Sequence, residues 1–162
     1  MRQLTGILGA SAIGLAASTG LASAEVQYMD DRSTPQTLVQ SYYNAINLKQ
    51  YTRAYGYYSD GFAAKDYDSW AKGYADTKSV SVQFGATQPD PGAGQIYWAL
   101  PVAISVLMTD GSSKVYGGCY NIQLTSPELQ TDPPFMPISI NSGSLKESDK
   151  PVQDAIPKSC DS

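Results

Sequence analysis

The apolar positions of this chain change period once, and the change divides it into two parts. From Thr34 the spacing is helical. Thr34 offers an N-cap hydroxyl and Pro35 a pre-set first turn, after which Leu38, Val39, Tyr42, Tyr43 and Ile46 fall on one face. Asn47 to Lys49 reads as a short break. Tyr51, Ala54, Tyr55 and Tyr58 follow at i, i+3, i+4 and i+7, which predicts a second helix broken by Asp60-Gly61. A third short helix is predicted from about Asp66 to Tyr74, with Trp70 and Tyr74 on its inward face. Beyond it the period becomes two. Val80, Val82 and Phe84 alternate with Ser81 and Gln83 as a half-buried strand does. Residues 89–94 read as a loop, and 95–109 as a long apolar strand. Pro101 lies inside that strand and implies a bulge or an edge there. Asp110-Gly111 signals a hairpin. The return strand spans 114–124, with Gly117-Gly118 suggesting a bulge or a close backbone approach. Residues 125–137 carry four prolines and form a loop long enough to be functional, and a last strand covers about 138–147. Helices first and antiparallel strands second give an α+β fold, with N-terminal helices packed on one face of a curved antiparallel sheet.

The two ends read differently from this body. Residues 1–24 hold no acid and one base, Arg2, then an apolar run closing in Ala22-Ser23-Ala24, the pattern of a cleaved export signal. A retained anchor is the rival reading. The stretch from Leu4 to Leu21 nears spanning length, but Thr5, Gly6, Ser11, Gly14, Ser18, Thr19 and Gly20 weaken it, and no basic cluster follows. The expectation is therefore a periplasmic or extracellular protein with no stable membrane anchor. Residues 25–33 are polar and read as a mobile lead-in. Residues 34–147 form the single α+β domain, and 148–162 a Pro-rich tail. In an exported chain, Cys119 and Cys160 pair most simply with each other, closing a loop of roughly 40 residues for about 4 kcal/mol in the chain-entropy model. A buried free thiol with a frayed end, or an intermolecular bridge through Cys160, are the alternatives.

Composition removes several chemistries. There is no histidine, so no Ser-His-Asp or Cys-His machinery and no His-ligated zinc. With 11 basic and 15 acidic residues, a net charge of −4 and no basic run, the chain is a poor nucleic-acid ligand. No cofactor and no metal constellation is implied, and the acids are scattered.

The segment Leu38-Val39-Gln40-Ser41-Tyr42-Tyr43-Asn44-Ala45-Ile46-Asn47, followed by Tyr51-Thr52-Arg53-Ala54-Tyr55, resembles the start of the nuclear-transport-factor-2-like superfamily. That superfamily includes ketosteroid isomerase, scytalone dehydratase and the polyketide cyclases. Gly73-Tyr74-Ala75-Asp76-Thr77 and Tyr116-Gly117-Gly118-Cys119-Tyr120 are similar to small exported bacterial members without an assigned activity. The resemblance spans roughly residues 34–147 and implies a cone-shaped cavity between the helices and the concave sheet face. Enzymes of this kind place an Asp or His base and a Tyr or Asp donor in that cone. Here the His-Asp dyad is absent, and no acid interrupts 96–108 or 115–124. Asp66, Asp68 and Asp76 are the acids nearest a cavity mouth, and each is equally at home as a solvated cap or loop residue.

The unusual feature is twelve tyrosines, eight of them between Tyr42 and Tyr74. A ring to bury and a hydroxyl that wants a partner suit a half-wet pocket for a sugar, peptide or amphiphile, or equally a helix–sheet core with hydroxyls at its rim. The candidate ligand-binding set is Tyr43, Tyr55, Tyr58, Trp70, Tyr74, Tyr97 and Trp98. Along a strand Tyr97 and Trp98 must point to opposite faces. The expected function is a non-catalytic exported domain binding a small ligand or a cell-envelope partner. The alternatives are an isomerase, dehydratase or cyclase using an Asp and a Tyr in the cone, and a homodimerising module pairing through the sheet face of 96–108.

Overall fold

The computed structural model describes residues 25–60 and 66–160; the export segment read in residues 1–24, and Gly61 of the expected break, lie outside the described residues. Helix α1 (Pro35–Asn47) starts where its residues dictate. The Thr34 hydroxyl accepts from Thr37 N at 3.1 Å, while Thr34 N donates to the Thr37 hydroxyl at 3.0 Å. This reciprocal cap satisfies two of the N–H groups that a helix start leaves open. At the other end Lys49 adopts a left-handed φ of 59°. Lys49 N then bonds Ile46 O at 3.0 Å and Gln50 N bonds Ala45 O at 2.9 Å, which closes the last carbonyls. A lysine tolerates this position because its ammonium reaches the carbonyls of Thr77 and Lys78, and that burial lowers its pKa.

Helix α2 (Tyr51–Tyr55) is shorter than the spacing predicts. Gly56 caps it, and the chain then leaves the helix to pair with an extended segment: Ile140 N donates to Tyr57 O at 2.8 Å, and Ser59 N to Ile140 O at 2.9 Å. Tyr58 therefore continues no helix, yet its bridge to Ile140 keeps it beside α1. Helix α3 (Tyr67–Lys72) is capped by Asp66, whose carboxylate accepts from Ser69 N at 3.0 Å.

Strands β1 (Thr77–Phe84), β2 (Asp90–Gly92), β3 (Gln95–Met108), β4 (Ser113–Thr125) and β5 (Ser139–Ser148) form one antiparallel sheet. Its order is β1-β3-β4-β5, and β2 also pairs with β3, beyond the end of β1. β2 lies in the stretch expected to be loop. Ala93 and Gly94, at φ 51° and 77°, form the two-residue turn that joins it to β3. The Asp110-Gly111 hairpin is present where expected, joining β3 to β4.

The sheet bends at other places than the sequence suggests. Register between β3 and β4 shows no shift from Gln95↔Thr125 to Leu107↔Ser113, so neither Pro101 nor Gly117-Gly118 is a bulge. Pro101 sits at a local edge. Its carbonyl accepts from Gly85 N at 2.8 Å, so its own nitrogen, with no proton to give, faces the same side just past the end of β1. The glycines answer to close approach: a Cβ on Gly118 would stand 1.9 Å from Ser144 O. The register shifts fall between Thr77 and Ser79, and between Asn121 and Ile122, where Asn141 is the extra residue on β5.

Leu38, Val39, Tyr42 and Ile46 of α1 pack on Leu100, Val102, Ile122 and Ile140 of the sheet, all fully buried. On the opposite face lies the C-terminal tail. Cys119 and Cys160 form a disulfide with Cα atoms 5.8 Å apart. The tail also grips by packing, since Ala155 lies over Gly117 and Ile156 beside Gly85, and the outward-facing Ala103 is fully buried. The middle of the face on which the sequence placed a pairing surface is thus occupied by the chain's own end.

The segment 25–33, expected to be a mobile lead-in, is instead fastened along α1 and α2. Met29 N and Asp31 N donate to the side chains of Asn44 and Ser41 at 2.9 and 2.8 Å. Arg53 donates to Met29 O at 2.6 Å, to the Asn44 amide oxygen at 2.9 Å and to the Tyr57 hydroxyl at 3.1 Å, and stacks over the Tyr28 ring. The polar residues that made the segment look solvated are its means of attachment. Among the described residues no helix is long and apolar enough to cross a membrane.

Gly118→Ala is expected to destabilise the domain by about 2–4 kcal/mol in urea unfolding, because its methyl meets backbone, which cannot yield as a side chain tip can. Arg53→Ala is expected to cost about 1–3 kcal/mol and to raise amide exchange selectively in residues 27–32, read by hydrogen exchange with mass spectrometry.

Candidate functional site

Between the helices and the concave sheet face lies a cavity of about 510 Å³. Each wall follows from the local fold. Tyr43 comes from α1, and Tyr58 from the exit of α2. Trp70 projects from α3, and Tyr74 follows it one turn later. Strand alternation brings Ile104, Val106 and Met108 inward from β3, with Tyr116 and Tyr120 from β4. Gly143 on β5 makes room for the last of these, for a Cβ there would lie 2.4 Å from the Tyr120 ring.

The rings pack mostly edge to face. Tyr42 and Tyr43 have centroids 4.8 Å apart, and Trp70 lies 5.2 Å from both Tyr55 and Tyr74. Such pairs favour fixed angles, so the wall is a defined surface rather than a loose apolar lining.

The hydroxyls are ordered too. The indole N–H of Trp70 only donates, and it bonds the Tyr58 hydroxyl. Tyr58 in turn donates to the Tyr42 oxygen at 3.3 Å, and Tyr42 shares a short hydrogen bond with Tyr74. Tyr42 is fully buried, so its proton needs Tyr74 as acceptor; the Tyr74 proton is then the one left for the cavity that Tyr74 lines. Tyr43 and Tyr120 form a second pair at 2.6 Å, and two hydroxyls sharing one bond again leave one proton over. Burial raises the pKa of Tyr42, Tyr43 and Tyr120 well above the phenol range. It also raises that of Tyr58, and pushes Tyr74 up to about 12.

No carboxylate and no cation lines this cavity among the described residues. The carboxyl groups of Asp31, Asp66 and Asp110 are held below the usual range, first by hydrogen bonds from serine side chains or backbone; Asp66 and Asp110 lie at an exposed cap and turn, and Asp31 half-buried in the segment before α1. Nor do three or more His, Cys, Asp or Glu side chains gather as a metal site among those residues.

Of the seven candidate residues, Tyr43, Tyr58, Trp70 and Tyr74 meet in the cavity wall. Tyr55 does not line it but backs Trp70. Tyr97 projects from the opposite face, 42% exposed. Trp98 shares the face of Leu100 and packs against the core, away from this lining. Both instead border a second cavity, of about 550 Å³. Sequence reasoning missed Tyr116 and Tyr120. The signal was present, since Tyr116, Gly118, Tyr120 and Ile122 share one face of a strand. It missed Tyr42 as the link between hydroxyls because a tyrosine at a core position reads only as packing.

No protein-family model matches the chain, and no curated protein matches it. Among solved structures the fold is similar to the protein named "Putative Scytalone Dehydratase" from Novosphingobium aromaticivorans DSM 12444. The likeness has a TM-score of 0.50 at 9% sequence identity, covering 70% of this chain and 80% of that one. At that identity the likeness is one of fold: α+β, with few helices packed on a five-stranded antiparallel sheet, consistent with a nuclear-transport-factor-2-like cone.

Proposed function

We propose that this chain is an exported, non-catalytic domain whose cone holds a small, neutral, largely apolar molecule bearing a hydrogen-bond acceptor. The observation that carries the reading is the cavity wall: rings and aliphatic side chains with Ser69 and Thr77 among them, two spare phenol protons and, among the described residues, no charged group. An ion entering such a site would shed its water without a counter-charge. A ligand with no acceptor would leave the phenol protons unpaired, at about 1–3 kcal/mol each. Export rests on residues 1–24 and is supported by the Cys119–Cys160 bond, which persists in oxidising compartments.

The same wall argues against the enzyme alternative. General acid–base steps use a group whose pKa lies near the working pH. A phenol pushed up to about 12 donates hydrogen bonds without surrendering its proton near neutrality, and among the described residues no Asp of the kind an isomerase-type mechanism uses lines the cavity.

Nile red, a neutral fluorophore with a carbonyl acceptor, tests the reading. It is expected to bind the domain with micromolar affinity and to quench Trp70 in a Trp98→Phe background. Tyr74→Phe should weaken it about 5–10-fold, the equivalent of one hydrogen bond. Equal affinity for the Tyr74→Phe protein, or no binding at all, would sink the proposal.

Alkaline titration tests the burial of the hydroxyls. A phenol whose folded pKa is raised adds stability that is present below pH 10 and lost as pH climbs toward about 12, since the unfolded chain ionises first. The phenolate absorbance of Tyr42, Tyr43 and Tyr120 is therefore expected to rise only together with loss of near-ultraviolet circular dichroism.

A further inference from the structure

The second cavity lies on the far side of the sheet and shares no lining residue with the cone. Its floor is the outward row of β3 and β4, and its walls are the 86–90 segment and the end of the tail, residues 158–160. Four features there are unexplained by folding alone. Tyr97 presents a ring that is 42% exposed on a face with no other aromatic among the cavity's outward residues. Asn121 uses its amide nitrogen on the Ser142 hydroxyl, which leaves its oxygen over. Asn141 takes the Ser59 hydroxyl on its oxygen and keeps its amide protons. As the extra residue of the β4–β5 bulge, Asn141 borders the groove through a departure from regular pairing, and bulges recur where a side chain is re-aimed. Asp90 and Lys158 stand exposed on the two walls, and among the described residues neither enters an ion pair.

We propose that this groove is a second binding site, for a pyranose sugar of about disaccharide size. Sugar rings present a C–H face that packs on an exposed aromatic ring, and hydroxyls that donate and accept at once. Tyr97 supplies the platform, the Asn121 oxygen an acceptor, the Asn141 amide a donor, and Asp90 and Lys158 a charged pair to bridge through hydroxyls. Its volume of about 550 Å³ fits such a ligand. The disulfide matters here because Cys160 is itself part of the wall, so the bond that fastens the tail also completes the groove.

The test titrates the oxidised protein, labelled on nitrogen, with cellobiose and with chitobiose, following amide shifts; co-sedimentation with insoluble cellulose and chitin separates free sugar from polymer. Shifts are expected at Tyr97, Asn121, Asn141 and Lys158 with at least one disaccharide. Tyr97→Ala should weaken binding at least tenfold with an unchanged melting temperature, and reduction of the disulfide should abolish it. Phe135→Ala, at an exposed position outside both cavities, should leave it unaltered. Silence with both sugars and both polymers overturns the proposal, as do shifts that map to the cone or survive Tyr97→Ala. Nile red binding to the cone is scored separately, so either site can fail alone.

Discussion

A phenol hydroxyl carried into an apolar interior must find a partner, and α1 carries two of them inward side by side. Tyr42 is fully buried and Tyr43 nearly so. An unmet hydroxyl at that depth costs about 1–3 kcal/mol, a large share of the stability of a domain this size. The surrounding structure is arranged to meet that demand. Tyr74 must follow α3 closely enough to reach Tyr42, and Tyr58 must leave α2 where it does to reach the same oxygen. Tyr120 must face inward from β4 to reach Tyr43, which requires Gly143 beside it to lack a side chain. The positions of three separate segments are thus tied to one pair of adjacent residues. The cavity is the space that remains when those rings stand edge to face instead of collapsing together.

That dependence explains which parts of the molecule were legible in the sequence. Features governed by neighbours in the chain were readable: the Thr34-Pro35 helix start, the apolar face of α1, the period change after Tyr74, and the Asp110-Gly111 turn. The pairing of Cys119 with Cys160 was readable because two cysteines leave few options. What resisted was set at a distance. The helical spacing of Tyr51, Ala54, Tyr55 and Tyr58 is real, but the backbone beyond Gly56 gains more by bonding Ile140 than by continuing its turn. The polar character of residues 25–33 suggested solvation because Asn44, Ser41 and Arg53, which receive that segment, are distant in sequence. Pro101 and Gly117-Gly118 were rightly marked as irregular. Only the tail crossing the outer face and the ending of β1 decide that they are an edge and two close approaches.

The candidate site shows the same division. Four of seven aromatic residues meet in the cone: Tyr43 and Trp70 from inward helix faces that periodicity reveals, and Tyr58 and Tyr74 from the chain just past α2 and α3. Tyr97 and Trp98 part to opposite faces, as adjacent strand residues do, and neither belongs to the cone lining. Tyr116 and Tyr120 carried their signal in strand parity, which becomes readable only once the concave side of β4 is known.

The two faces of the sheet are asymmetric in a way that bears on function. The described lining of the inner face is neutral and aromatic, and its buried hydroxyls are paired with one another. Among the described residues no carboxylate or cation lines that face, and burial raises the pKa of Tyr43, Tyr58, Tyr74 and Tyr120. The outer face carries amides, opposite charges and a tyrosine ring under a tail fixed by a covalent bond. Contacts to Asp90 and Lys158 are screened by salt, whereas the described lining of the cone holds no charge for salt to screen. Salt and pH therefore separate the two faces experimentally, although the same strands, β3 and β4, build both.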